Sequence, residues 1–111
     1  EIREDLARFA GANLQRAGIS NAAVEHRHGL RAAPGASFEA IVLSGSVPFV
    51  PEALLDRLTV GGRLVAIVGE LPMMTAQLIT RVADRQFSAE NLFDTVALPL
   101  VDFPRKEKFV F

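Results

Sequence analysis

The chain has 111 residues, of which 50% are hydrophobic and 23% are charged, and its formal net charge is −1. This apolar content excludes a disordered chain, and the length allows one domain at most. The near-neutral charge argues against nucleic acid or an anionic membrane as a partner. The chain has no cysteine, which excludes disulfides, thiolate nucleophiles and thiolate metal sites. Its longest apolar runs have the length of strands, well short of the roughly 20 residues that cross a membrane.

Residues 4–17 predict the first element, an α-helix, because apolar and small side chains recur there at helical spacing. Asp5 in the first turn and Arg16 in the last turn suit the helix dipole. Gly18 follows as a stop signal for the helix.

A short strand is predicted for residues 22–26. Residues 27–37 predict a loop, because they contain Gly29, Pro34 and Gly35. Residues 38–44 then form a continuous, mainly apolar run, which is typical of a strand buried on both faces of a parallel sheet.

Proline and glycine mark the next boundaries. Pro51 suits the first turn of a helix that runs to about Leu58. The pair Gly61-Gly62 predicts a break in the chain. Residues 63–68, with the sequence RLVAIV, predict a second buried strand after that break.

The remaining sequence predicts an antiparallel hairpin. Its strands are residues 76–85 and 94–100, joined by a partly helical connection through residues 88–92. The order helix, strand, helix, strand and hairpin is typical of an α/β fold with a mainly parallel sheet. The predicted fold class is therefore α/β, with an antiparallel hairpin at its C-terminal end.

Three stretches of the sequence resemble one known family. They are LARFAGANL at residues 6–14, AIVLSGSVPFVPEALLDRLTVGGRLVAIVG at residues 40–69 and VALPL at residues 96–100. Together they are similar to the protein-L-isoaspartate O-methyltransferase family. The resemblance implies part of a Rossmann-like, S-adenosylmethionine-dependent methyltransferase fold. Residues 1–111 would then be the C-terminal portion of a single methyltransferase domain.

The resemblance also implies an activity. Such an enzyme transfers a methyl group from S-adenosylmethionine to the free carboxylate of isoaspartyl residues in damaged proteins or peptides, with the cytoplasm as the expected compartment. Methyl transfer relies on aligning a carboxylate with a sulfonium methyl group, and no residue of this chain is expected to be catalytic. Two alternatives are a non-catalytic remnant used for protein interaction and a methyltransferase of similar fold with another substrate.

Cofactor contacts are implied for residues near the start of the chain. The resemblance places Glu1 at an acidic position whose carboxylate accepts both ribose hydroxyls, and Ile2 follows it. The family has an aspartate near the adenine at a loop where this chain has His28, Gly29 and Leu30. Either His28 or Leu30 stands at the aspartate position, so an altered adenine contact is expected.

Two further residues are cofactor candidates. Ser44 ends the strand at 38–44 and begins a Ser-Gly-Ser run where the family has small residues, and its hydroxyl either contacts cofactor or substrate or caps the turn. Val101 matches a position that approaches the cofactor through its backbone. His26 and His28 lie two residues apart, but the sequence offers no third ligand, so no metal site is predicted.

The family resemblance has a consequence for the sheet. It implies that the family's first two strands lie between the third and the fourth, and the seventh between the fifth and the sixth. This chain would supply strands three to seven, with the Gly-rich cofactor loop and the substrate-gripping segment upstream of Glu1, so the piece alone is expected to be inactive. The strand at 38–44 would expose an apolar edge. We therefore expect poor solubility, rearrangement, or edge-to-edge pairing with a second copy or with the upstream half.

Overall fold

The computed structural model describes residues 1–31 and 35–105. The chain forms two compact units, Glu1–Gly35 and Ala36–Phe111. The α/β fold class is confirmed, with a helix in the first unit and a mixed four-stranded sheet in the second. Within the described ranges, no helix is long and apolar enough to cross a membrane.

The first unit begins with helix α1, Glu4–Arg16, which confirms the predicted helix. Ala7 is its buried residue. The helix ends in a Schellman motif, because the N–H of Gly18 donates to Gln15 and the N–H of Ile19 donates to Leu14. At the other end, Arg3 donates to the carboxylate of Asp5 over 2.7 Å. This hydrogen bond holds the pKa of the exposed Asp5 carboxyl below its usual value.

The predicted strand at residues 22–26 is wrong as a regular strand, although this stretch runs alongside the first residues of the chain. The Glu1 nitrogen donates to the Glu25 carbonyl over 3.0 Å, and the Arg27 N–H donates to the Glu1 carbonyl over 3.0 Å. These two hydrogen bonds are too few to make a strand. The loop predicted at 27–37 contains one 3₁₀ turn, Gly29–Arg31, while Pro34 lies outside the described residues.

The second unit is built on one sheet with the order β1-β2-β3-β4. Strand β1, Phe38–Val47, is parallel to β2, Leu58–Glu70, and the short helix α2, Glu52–Leu55, connects them. Strands β3, Met73–Ala83, and β4, Gln86–Asp94, add antiparallel neighbours. One pair in this sheet is therefore parallel and two are antiparallel.

Strand β2 is longer than predicted, because the chain does not break at Gly61-Gly62. The register with β1 instead jumps there, from Phe38 opposite Leu58 to Ala40 opposite Arg63. Gly61 has φ +84°, which a side chain would strain, and a Cβ on Gly62 would lie 2.8 Å from the Thr59 carbonyl oxygen. The two glycines thus allow a bulge inside a continuous strand.

The first strand of the hairpin, β3, largely matches the predicted residues 76–85, but the second strand differs from the prediction. Residues 88–92, expected to be partly helical, lie in β4, which ends at Asp94, and residues 95–100 form no strand beyond a bridge from Pro99 to Ser46. The family resemblance implied that the last strand lies between the two strands before it. This is also wrong, because β3 pairs directly with β2. A tight turn at Asp84-Arg85 sets this order by folding β4 directly back onto β3.

The core of the second unit draws on both faces of β2 and β3, because the buried Leu64 and Ile79 are paired on one face and the buried Met74 and Ala76 lie on the other. Its largest fully buried apolar side chains are Leu58, Leu64 and Val47. Strand β1 was expected to be buried on both faces, but Val42 is 72% exposed and only its last three residues are buried. Because β1 is an edge strand of this sheet, its first half lacks the second neighbour that burial on both faces requires.

Candidate functional site

The candidate site lies where the two parallel strands of the second unit end. Strands β1 and β2 run in the same direction, so their carboxyl ends, Ser46-Val47 and Gly69-Glu70, meet at one edge of the sheet. In α/β sheets this edge is where ligands bind. The position follows from the two apolar runs that build the strands, and from the helix α2 that makes their pairing parallel.

A returning segment of the chain closes one side of this edge. Ser46 is bridged to Ile67 on one side and to Pro99 on the other. The Ser46 N–H donates to the Leu98 carbonyl, and the Leu100 N–H donates to the Ser46 carbonyl, each over 2.8 Å. Residues 98–100 therefore run beside the end of β1.

The close approach of this segment depends on Gly45. A Cβ at that position would lie 2.6 Å from Leu100 Cδ2 and 2.9 Å from the Leu98 carbonyl oxygen. Ser46, which follows, is 1% exposed, and its hydroxyl donates to the Ala97 carbonyl over 3.0 Å. The small residues near the end of β1 thus hold the returning segment against the strand.

A cavity of about 290 Å³ opens at this edge. Its lining includes Ser46, Gly69, Glu70, Leu100, Phe103 and Arg105. Glu70 and Arg105 bring opposite charges to a wall that otherwise consists of backbone, apolar side chains and one buried hydroxyl. This composition suits a ligand with an apolar body and polar or charged groups at defined points.

The two residues predicted for this region lie beside the cavity lining. Ser44 is exposed and is not a lining residue, whereas Ser46, two positions later, is. Val101 is 57% exposed and follows Leu100, which does line the cavity. Their contacts with a cofactor stay predictions. Sequence reasoning missed Glu70 and Arg105, because the first looks like an ordinary residue at a strand end and the second follows a strand that was wrongly placed.

The cofactor residues predicted in the first unit lie close to one another. Glu1 Oε1 accepts the Arg3 N–H over 2.9 Å, and its other carboxylate oxygen makes no hydrogen bond within residues 1–31 and 35–105. His28 Nδ1 accepts the Leu30 N–H over 3.2 Å across Gly29, which fixes a tight turn. Glu1 therefore keeps an acceptor for a ligand, while His28 uses one ring nitrogen within the loop.

One of the two histidines contacts the backbone at the start of the chain. His26 Nε2 lies 3.1 Å from the Ile2 carbonyl oxygen, where it takes part in the contact between the extended stretch and the start of the chain. In the part of the chain that the structure describes, no three His, Cys, Asp or Glu residues are grouped so as to hold a metal ion.

Comparison with known proteins gives a consistent set of matches. The family model described as protein-L-isoaspartate(D-aspartate) O-methyltransferase (PCMT) matches residues 1–105. A protein-L-isoaspartate O-methyltransferase of Janthinobacterium sp. is 38% identical over 96 residues, covering 86% of this chain and 32% of that protein. One from Rhodopseudomonas palustris is 36% identical over 98 residues, covering 86% of this chain and 45% of that protein. The chain thus spans about a third to a half of the length of these relatives.

Solved structures share the fold. A crystal structure of a beta-aspartate methyltransferase (PCMT) from Plasmodium falciparum, in complex with S-adenosyl-L-homocysteine, has a TM-score of 0.77 and 24% identity, over 90% of this chain and 50% of that one. A second protein-L-isoaspartate O-methyltransferase structure has a TM-score of 0.80 and 22% identity, over 90% of this chain and 32% of that one. At these identities the likeness establishes the fold.

Proposed function

Because this chain belongs to the protein-L-isoaspartate(D-aspartate) O-methyltransferase family, we propose that it acts in S-adenosylmethionine-dependent methylation of isoaspartyl carboxylates in damaged proteins and peptides. Residues 1–111 would serve as the C-terminal portion of a single methyltransferase domain, in the cytoplasm. On their own they would be inactive, because they correspond to under half the length of the curated relatives.

The observation that carries this proposal is the cavity at the carboxyl ends of β1 and β2. It combines an apolar wall with the buried Ser46 and the two charged residues Glu70 and Arg105, and the returning segment packs beside it. Methyl transfer requires a carboxylate and a methyl donor to be held in line, with water kept away, rather than a strong acid or base. A small, partly apolar cavity with fixed backbone walls meets that requirement.

The residues of the first unit fit the nucleoside of the cofactor. The free carboxylate oxygen of Glu1 would accept from the ribose hydroxyls, with Ile2 next to it in extended backbone. The turn formed by His28, Gly29 and Leu30 would face the adenine. When bound, S-adenosylmethionine supplies the methyl group from its sulfonium sulfur.

In the second unit, residues beside the cavity are further candidates for contacts with the cofactor or the substrate. Ser44 offers an exposed hydroxyl beside it, and Val101 offers backbone groups next to Leu100. We assign no side chain of this chain to acid–base catalysis. The chain's contribution is to orient the two reactants and to restrict access of water.

Cofactor binding is tested by calorimetric titration of the full-length protein with S-adenosylhomocysteine. The proposal predicts saturable one-to-one binding, which adenine alone does not reproduce at the same concentration. Absence of binding would overturn it. Binding without methyl transfer to any isoaspartyl peptide would instead support the alternative of a non-catalytic, methyltransferase-like protein.

We also propose that residues 1–111, when isolated, pair through the outer edge of β1 with a second copy. Val42 is 72% exposed there, and β1 is an edge strand of the described sheet. Antiparallel pairing of residues 38–45 with the same residues of the second copy would place Glu39 opposite Ser44, so that like charges do not meet. Such a pair is two-fold symmetric and closed.

Sedimentation of the isolated chain tests this pairing. The wild-type chain should sediment as a dimer and Val42→Lys as a monomer, because a charge on an edge strand opposes pairing. Val82→Lys, at a side chain 54% exposed on β3, is the control and should remain dimeric. A monomeric wild-type chain would contradict the proposal.

A further inference from the structure

Two charged side chains line the cavity, and neither is paired with an opposite charge among residues 1–31 and 35–105. Glu70 and Arg105 both belong to its lining. The ion pairs of the described residues join Arg3 to Asp5, Arg8 to Glu4, Arg27 to Glu25 and Arg81 to Asp84. Neither Glu70 nor Arg105 takes part in any of them, and among residues 35–105 neither side chain forms a hydrogen bond. Each charge is therefore available to a ligand.

The two positions differ in how they are held. Glu70 is the last residue of β2 and pairs in register with Met73 of β3, so its backbone is fixed by the sheet. Arg105 follows Phe103, a half-buried lining residue just beyond the segment that hydrogen-bonds to Ser46. The guanidinium is thus carried on a long side chain from an anchored segment, and it can reach a ligand at the cavity mouth.

The chemistry of the proposed reaction matches these charges. The methyl acceptor is a carboxylate with a negative charge, and the methyl donor is a sulfonium with a positive charge. A guanidinium offers parallel N–H donors that fit a carboxylate, and it stays charged at every physiological pH. The negative charge of Glu70 would disfavour the binding of other anions in the cavity.

We propose that Arg105 binds the carboxylate of the isoaspartyl substrate at the mouth of this cavity and so selects substrates that carry that charge. The inference rests on the proposed function and extends it to one specificity residue. Methylation converts the carboxylate into a neutral ester, in which an alkoxy group replaces one anionic oxygen. The ion pair with Arg105 is lost at that point, so the same residue favours substrate binding over retention of the product.

The experiment uses the full-length protein with S-adenosylhomocysteine bound, and it measures binding of an isoaspartyl peptide and of its methyl ester. Arg105→Gln should weaken peptide binding about tenfold, as the loss of one charge-assisted contact implies, and leave ester binding unchanged. Arg105→Lys should restore part of the peptide affinity. Arg85→Gln, at an exposed arginine in the β3–β4 turn, is the matched control and should change neither affinity.

Kinetics give the second readout. In Arg105→Gln the KM for the peptide should rise about tenfold, while kcat and the affinity for S-adenosylhomocysteine stay within about twofold. Equal losses for peptide and ester would indicate a purely structural role and overturn the inference, as would no change in either. A wild-type protein that neither binds nor methylates the peptide would contradict the proposed function itself, which separates the two failures.

Discussion

The backbone N–H of Leu100 donates to the carbonyl of Ser46 over 2.8 Å and so joins the segment after β4 to the end of β1. The two residues are far apart along the chain, because β2, β3 and β4 lie between them in sequence. This hydrogen bond helps to form the wall of the cavity, because Ser46 and Leu100 both line it. Changes around this junction therefore test the site and the fold together.

Gly45→Ala should destabilise the protein by about 1–3 kcal/mol, because the new methyl group would lie 2.6 Å from Leu100 Cδ2 and 2.9 Å from a carbonyl oxygen. Gly11→Ala in helix α1 is the control, since a Cβ there meets nothing within 4 Å. That change should stabilise the helix by about 0.5–1 kcal/mol. Urea unfolding followed by circular dichroism measures both, and equal effects would show that residues 98–100 do not pack on β1 as described.

Ser46→Ala removes the hydroxyl of a residue that is 1% exposed. In the wild type this hydroxyl donates to the Ala97 carbonyl over 3.0 Å. We expect a loss of about 1–2 kcal/mol in the free energy of unfolding, because the carbonyl of the half-buried Ala97 then lacks this partner. Ser44→Ala, at an exposed hydroxyl in the same strand, should change the stability by less than about 0.5 kcal/mol. A neutral Ser46→Ala variant would argue against the hydrogen bond.

Arg81 links β3 to the start of β2. Its Nη1 donates to the Leu58 carbonyl over 2.6 Å, and its side chain is 15% exposed beside an Asp84 that is 85% exposed. Arg81→Met should cost about 1.5–3 kcal/mol of stability through the lost charged hydrogen bond. Asp84→Asn should cost under about 1 kcal/mol, because its ion pair is largely solvated. The reverse order of the two effects in urea unfolding would assign the stabilisation to the ion pair instead.

Glu1→Gln tests the proposed ribose contact. The amide oxygen can still accept the Arg3 N–H, but the neutral group is a weaker acceptor for two hydroxyls. Calorimetry should record an affinity for S-adenosylhomocysteine lowered by roughly tenfold to a hundredfold. Glu4→Gln, at a residue paired with Arg8 on α1, is the control and should leave the affinity unchanged. An unchanged affinity in Glu1→Gln would remove Glu1 from the site.

Local patterns predicted the elements that local interactions determine. Helix α1 follows from its apolar spacing and the stop at Gly18, and the two apolar runs at 38–44 and 63–68 mark the parallel pair. Strand β4 was not predicted because nearly all its residues are exposed, so its sequence lacks the alternation of apolar and polar residues that marks a half-buried strand. Cross-strand contacts and the turn at Asp84-Arg85 place it instead, including Gln77 with Asn91 at 3.1 Å.

The cavity was harder to foresee from the sequence than the strands that support it. Its walls come from the ends of β1 and β2 and from the segment through Phe103 and Arg105, which are far apart along the chain. The spacing of residues in the sequence does not indicate that these segments lie close together in the fold. The family resemblance pointed to Ser44 and Val101, close to the residues that line the cavity, but it gave no sign of the charged residues Glu70 and Arg105.

The central claim is that the cavity serves methyl transfer to an isoaspartyl carboxylate. Its most direct test is the transfer of a labelled methyl group from S-adenosylmethionine by the full-length protein to a peptide that contains one isoaspartyl residue, compared with the same peptide containing aspartate. We predict base-labile label on the isoaspartyl peptide and none above background on the aspartyl peptide. Equal labelling of both peptides, or labelling of neither, would contradict the claim.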